Sequence, residues 1–288
     1  MDRTTATGPG GPEREAGSGV LGSRKFYAWE VGIVLALSLG RSAVYSVLQL
    51  AESLSLEPLS GQTATLHSSR SRHEFFDLTH QVLDSLFALV PVALVVYLVF
   101  LHGANPFRRW GLDFRRPGRD WLLGVGLFVL IGTGTLVVYA AGRATGVTMQ
   151  ILPADLTEHW WTSPVLLLAA LRHSLLEEVV MVAYLFDRAR RMWPGLQGEV
   201  RSAGRRWMGI PRGMWWVLLA TAVLRGAYHL YQGFGPGAGN LLMGIVFGWA
   251  YLRYGRVMPL VIAHFLLDVV AFFAFPLLVG WLGIDVVG

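Results

Sequence analysis

Residues 164–186 read P-V-L-L-L-A-A-L-R-H-S-L-L-E-E-V-V-M-V-A-Y-L-F. About 20 mostly apolar residues make a helix long enough to cross a bilayer. This run qualifies, yet Glu177 and Glu178 lie in its middle. Two later apolar runs repeat the anomaly. The run that starts at Met214 carries His229 near its end, and the run that starts at Val257 carries His264 and Asp268 one helical turn apart. An Asp at bilayer depth costs roughly +2.5 to +3.5 kcal/mol on insertion scales. Such groups are retained where they pair, line a wet cavity or do chemistry. Carboxylates and imidazoles on three separate helices are the parts of a hydrolytic site.

The rest of the composition agrees with a membrane setting. The chain is 53% hydrophobic and 15% charged, which points to a polytopic membrane protein. It has no cysteine, so a disulfide framework and a thiol nucleophile are excluded. The net charge is +5, but the basic residues sit in short loops beside apolar runs. That pattern sets membrane topology and argues against a nucleic-acid partner. Residues 1–25 are rich in Gly, Pro, Thr and Ser and read as a disordered cytosolic tail. No cleavable signal peptide is evident, because the first apolar run is too long for one. Residues 26–288 read as a single membrane domain without internal repeats.

Seven spans are expected, roughly at 27–52, 78–102, 121–145, 164–187, 214–233, 238–254 and 257–282. Arginines gather in the tail, in the second loop (Arg108, Arg109, Arg115, Arg116, Arg119), in the fourth loop (Arg190, Arg191, Arg201, Arg205, Arg206, Arg212) and at the sixth turn (Arg253, Arg256). The third loop, the fifth loop and the C-terminal end are nearly free of basic residues. The first loop, with Arg70 and Arg72, is the exception. The positive-inside rule then places the N-terminus in the cytosol and the C-terminus outside. The expected fold is an all-α polytopic bundle of about seven transmembrane helices.

At 1.5 Å per residue, Glu177 lies about 16 Å from the inner end of its span, His264 about 10 Å, Asp268 about 16 Å and His229 about 22 Å. On these depths the site is expected to open toward the cytosol. Glu177 and Glu178 point about 100° apart on an α-helix, so they can take different roles. Close carboxylates repel, and the raised proton affinity of one suits a general base. The bland alternative is a pair held by arginines for packing. His229 follows Arg225 by four residues and shares its face. His264 and Asp268 share a face in the same way, and a carboxylate beside an imidazole fixes its tautomer. His173, Arg172 and Asn240 are candidate supporting groups. Gly244 and Gly248 read as small residues at a helix contact.

The three clusters resemble the CAAX protease and bacteriocin-processing family of intramembrane proteases, also called the Abi family. The family's E-E-x-x-x-R motif is similar to E-E-V-V-M-V from Glu177 to Val182. Its F-x-x-x-H motif is similar to R-G-A-Y-H from Arg225 to His229. Its H-x-x-x-N motif is similar to H-F-L-L-D from His264 to Asp268. Order and spacing match over about 164–275. Two positions depart: Val182 replaces the family's arginine, and Arg225 replaces its phenylalanine. Arg225 is expected to supply from span five the guanidinium missing from span four, and to hold Glu178.

The resemblance implies an endopeptidase acting on membrane-associated peptides or proteins in a bacterial cytoplasmic membrane. Glu177 would activate water, His229 would assist that water or the oxyanion, and Glu178, His264 and Asp268 would orient the site or bind a metal. A divalent ion such as Zn²⁺, with His229 and His264 as ligands, is compatible with the residue types. A metal-free site is equally compatible. The runner-up reading is a non-catalytic membrane scaffold or bacteriocin self-immunity protein with a degenerate site. An ion or proton relay ranks behind both, since no interrupted half-helices are evident.

Overall fold

The computed structural model describes residues 22–198 and 206–275. Most of the expected tail, Arg201 and Arg205 of the fourth loop, and the seventh span beyond residue 275 lie outside the described residues. Within them the chain is a helical bundle with a few very short strands.

Helix α1 (Arg24–Ala36) starts where the Oγ of Ser23 accepts the Phe26 N–H at 3.2 Å, an N-cap. It is followed by α2 (Leu39–Leu56) at a bend of 52°. The first span is therefore broken, where an unbroken span was expected. Ser38 accounts for the break: its Oγ donates to Val34 O at 2.6 Å while its N–H turns to Leu35 O at 3.1 Å. Gly40 permits the fold-back, since a Cβ there would lie 2.7 Å from Leu35 O.

Helices α3 (Glu74–Ala88) and α4 (Val90–Leu101) run on as one 28-residue rod, and α6 (Pro117–Ala144) is another of 28 residues. Between them lies the short α5 (Pro106–Trp110). Each rod is about 42 Å long, more than the roughly 30 Å of a hydrocarbon core. Among the described residues these two are long and apolar enough to cross a membrane, and the bent α1–α2 pair makes a third if read as one span. Their outer faces carry exposed Phe75, Phe87, Leu122, Val129 and Val137, a surface that belongs against lipid.

The second half of the chain is built of shorter pieces. A rod comprises α7 (Thr162–Leu175), a π-helical segment (Leu176–Tyr184) and α8 (Leu185–Met192). After α9 (Gly195–Gly198) come α10 (Arg212–Ala227), a 3₁₀ turn (Leu230–Gln232), α11 (Phe234–Tyr254) and α12 (Met258–Phe273). Helix α10 has only 16 residues, about 24 Å. It stops at Ala227, short of the expected span to 233. The His229 N–H bonds to Gly226 O at 3.1 Å, three residues back, so the last turn tightens and the chain leaves the helix. At Gly233, φ +100 lets it reverse into α11, and a Cβ there would lie 3.0 Å from Val147 O.

The π segment is the centre of the molecule. Glu177 to Tyr184 are all buried, and Val179, Val180 and Met181 share one core with Val95, Val99, Leu218, Phe247 and Leu260. Gly244 brings α11 onto α10: a Cβ there would lie 2.9 Å from the Cα of Ala222.

Successive connections alternate between two ends. At one end β1 (Thr63–Thr65) pairs in parallel with β2 (Gln150–Leu152), Thr63 opposite Gln150, and Thr148 bridges to Gly233. The loops after α2, α6 and α10 thus form a cover. At the other, basic end, Val257 N–H bonds Trp110 O at 2.8 Å, and Arg256 holds Asp113 at 2.9 Å and Asp120 at 2.6 Å. Arg109 pairs with Asp187, and Arg188 with Glu30. A two-residue turn at Met208–Gly209 joins β3 (Arg206–Trp207) to β4 (Ile210–Pro211) at this end, where Trp249 Nε1 donates to Met208 O at 3.2 Å.

Candidate active site

The polar clusters of three sequence runs meet around one guanidinium. Glu177 and Glu178 occupy the first turn of the π segment, whose wider turn replaces the α-geometry expected from the sequence. π segments within α-helices are rare and concentrate at functional sites. Arg225, near the end of α10, is 1% exposed. Its Nη2 lies 2.7 Å from Glu178 Oε1, 3.1 Å from Glu177 Oε2 and 3.2 Å from His264 Nδ1. One cation thus lies between two buried carboxylates that would otherwise repel. Val182, where the related motif has arginine, is buried in the apolar core.

Each histidine is held by its Nδ1. His264 Nδ1 lies 2.7 Å from Glu178 Oε1, so its N–H donates to that carboxylate. His229 Nδ1 lies 3.1 Å from Arg225 O and donates to that carbonyl. The His229 contact fixes the ring through Nδ1 and leaves Nε2 as its acceptor nitrogen, an orientation that such bonds commonly impose on functional imidazoles. His264 Nε2 is 3.7 Å from Asp268 Oδ1, and Asp268 Oδ2 is 3.3 Å from His173 Nδ1. His173 on α7 thereby joins the cluster through Asp268.

Tyr228 is a member that sequence reasoning missed. Its Oη donates to Glu177 Oε2 at 2.7 Å. Position 228 lies next to His229, but nothing in the spacing ties it to a glutamate 51 residues away. Other candidates go elsewhere. Arg172 Nη1 donates to Asp84 O at 3.1 Å, toward α3, and Asn240 Nδ2 donates to Pro236 O at 3.1 Å within its own helix.

A cavity of about 390 Å³, within the size range of ligand pockets, reaches the cluster. His229, His264, Asp268 and Asn240 line it on one side, and Phe128 and Leu136 of α6 on the other. Glu177 is 8% exposed and not itself among the lining residues; it is tied to the chain next to His229 through Tyr228. The cavity also touches Leu66, Ile151, Pro153 and Gly235, all at the covered end. The opening was expected toward the cytosol, at the basic end, whereas these lining residues lie toward the covered end. The depth estimates assumed full-length spans, but α10 stops early and its loop drops into the molecule with His229.

The metal expectation also changes. Among the described residues, the group whose ligand atoms approach within 4.8 Å is Glu177, Glu178 and His264, without His229. Arg225 Nη2 already stands within 3.2 Å of atoms on all three. Zn²⁺ needs its ligands at about 2.0–2.2 Å. The guanidinium must leave before an ion can enter, so the trio as built does not fit a metal.

His67, in the loop after β1, completes the polar layer under the cover. Burial first, then the Arg172 cation, lower its pKa to about 4 from 6.5. It is a neutral, buried imidazole against the Phe272 ring.

With this geometry in hand, comparison with known proteins locates the relationship. Residues 159–270 match the family model of type II CAAX prenyl endopeptidases, Rce1-like. This segment is Rce1-like. No curated protein and no solved structure matches the chain. The Rce1-like segment runs from just before α7 to near the end of α12 and holds every residue of the cluster, while α1 to α6 lie outside it.

Proposed function

We propose that the protein is an intramembrane endopeptidase that hydrolyses peptide bonds of membrane-associated substrates. The observation that carries the reading is the convergence of Glu177, Glu178, His229, His264 and Arg225 beside a cavity, inside a segment that matches the Rce1-like family. Seven membrane crossings, with the basic end in the cytosol and the N-terminus inside, give the bundle its setting in a bacterial cytoplasmic membrane. The rods α1–α2, α3–α4, α6, α7–α8, α10, α11 and α12 supply the crossings.

Both contacts to Glu177 fall on Oε2, from Tyr228 and Arg225, so Oε1 is the oxygen that takes a proton. A water between Glu177 and His229 attacks the scissile carbonyl carbon. Its proton passes to Glu177, and its oxygen bonds to carbon. His229 Nε2 accepts the second hydrogen bond of that water and aims its lone pair. The proton on Glu177 then goes to the amide nitrogen as the C–N bond breaks, leaving a free amine and a carboxylic acid that keeps the water's second proton. Glu178 and Asp268 hold His264, and Arg225 keeps the two glutamates together. No step runs through a metal. A degenerate, non-catalytic site is disfavoured because Arg225 restores the positive charge that Val182 lacks.

Purified protein with a panel of apolar peptides tests the reading against Glu177→Gln and His229→Ala forms. Cleavage by the native chain, and none by either variant at unchanged folding, is the expected result. Equal cleavage by a variant removes that residue from the mechanism, and no cleavage by the native chain rejects the peptidase.

A further inference from the structure

We infer that the site takes its substrate from the side of the membrane opposite the basic end: an extended peptide segment emerging from the bilayer on the extracytoplasmic face. The inference rests on the peptidase reading only for what the occupant is. The direction follows from the cavity. At the covered end it is lined by Leu66, Ile151 and Pro153, from the loops after α2 and α6, and by Gly235 in the first turn of α11. Those same loops are tied together by the β1–β2 pair and the Thr148–Gly233 bridge. The opposite end is closed by ionic clasps: Arg256 on Asp113 and Asp120, Arg109 and Arg191 on Asp187, and Arg188 on Glu30. Arg108, Arg109, Arg190, Arg191, Arg253 and Arg256, from the described parts of the second loop, the fourth loop and the sixth turn, lie at this clasped end. The positive-inside rule makes it cytosolic, so the cavity mouth is outside.

The walls indicate what enters. One wall is apolar, with Phe128 and Leu136 of α6, a helix that otherwise faces lipid. The facing wall is polar, with His229, Asn240, His264 and Asp268. A peptide lying between them turns apolar side chains toward α6 and its backbone amides toward the imidazoles. Substrates of this chemistry are the outward-facing ends of membrane-embedded apolar peptides.

The native chain has no cysteine, so single cysteines report on each side. Leu66→Cys marks the rim, Asn240→Cys the inner wall, and Gly118→Cys the clasped end, where a Cβ meets nothing within 4 Å. Intact cells and inside-out vesicles are treated with a membrane-impermeant maleimide. Leu66→Cys and Asn240→Cys should label in intact cells only, and Gly118→Cys in inside-out vesicles only. Labelling of Asn240→Cys from the Gly118 side, or from neither side, overturns the opening. The fully mirrored pattern overturns the extracytoplasmic assignment.

Occupancy is read in Asn240→Cys combined with Glu177→Gln, so that no turnover is needed. A membrane-inserted synthetic peptide, with an apolar segment exposed outside, should slow maleimide modification severalfold. No protection at saturating peptide overturns the occupant. Protection without cleavage by the native chain leaves the inference standing and rejects the peptidase reading alone.

Discussion

Arg225 is the residue on which the cluster depends. Removing one partner of a buried ion pair costs roughly 3–5 kcal/mol, because the other charge stays buried and unpaired. Here two carboxylates would be left, since Nη2 serves both Glu177 and Glu178. Arg225→Phe, which recreates the second motif of the resembling family, should therefore abolish cleavage and lower thermal stability. Adding Val182→Arg should return part of both, because it supplies a guanidinium from the π segment itself. A double variant as inactive and as unstable as the single one would show that charge compensation is not the relation between these positions. Arg225→Met tests the same point by another route. It empties the position within 3.2 Å of Glu178 and His264 and leaves the Glu177–Glu178–His264 trio free to hold an ion. Co²⁺ added to Arg225→Met should give visible d–d absorption that the native chain lacks, and a Co²⁺ spectrum in the native protein would contradict the account of the guanidinium. The reach of Arg225 was legible because the sequence lacks an arginine at Val182 and gains one four residues before His229. The Tyr228 contact was not legible: a side chain meeting another 51 positions away depends on how two helices rotate against each other.

At the scale of the element, the π segment joins the site to the clasp at the basic end. Glu177 and Glu178 open it, and Tyr184 closes it by donating to Glu30 Oε1 at 2.9 Å, one turn before Arg188 reaches the same carboxylate. The wider turn sets the angle between these two groups. Deleting Val180 should let the segment relax to α-geometry, which carries Tyr184 and Arg188 off Glu30 or the glutamates off Arg225. Either outcome lowers the melting temperature by several degrees and cuts cleavage strongly. An unchanged melting temperature and rate in the deletion variant would mean that the π geometry is incidental. Sequence reading located this helix well, since its apolar run of 23 residues covers most of the α7–α8 rod. It could not see the π turn, because an all-buried run has the same hydrophobic pattern in either geometry. The bend in the first span was hidden for a related reason: Ser38 bonds its own backbone, and a serine within an apolar run does not announce that choice.

For the molecule as a whole, the loops after α2, α6 and α10 meet at one end, and Trp110, Met208 and Val257 gather at the other. What lies at the arginine-poor end was not legible, because β1 and β2 have three residues each and carry no periodic signal. The cover they form has a built-in acid sensitivity. His67 is held between α3, α7 and α12, with Gln81, Arg172 and His173 near it and Arg70 beyond. Its folded pKa of about 4 lies below the unfolded 6.5, so the unfolded chain binds the extra proton between those values. Stability from this group is complete above pH 6.5 and is lost as pH falls toward 4, by about 2 kcal/mol at pH 5 and about 3 kcal/mol at pH 4. Protonation adds a cation beside Arg172 and loosens the first loop from α12, next to the cavity rim at Leu66. In detergent, the melting temperature should drop between pH 7 and pH 5, and His67→Asn should remove much of that drop. The Leu66→Cys probe should also label faster at pH 5 than at pH 7, after correction for the thiolate fraction of an exposed control cysteine, while Gly118→Cys keeps a constant ratio to that control. A His67→Asn protein with the full native drop would place the acid-sensitive group elsewhere in the bundle.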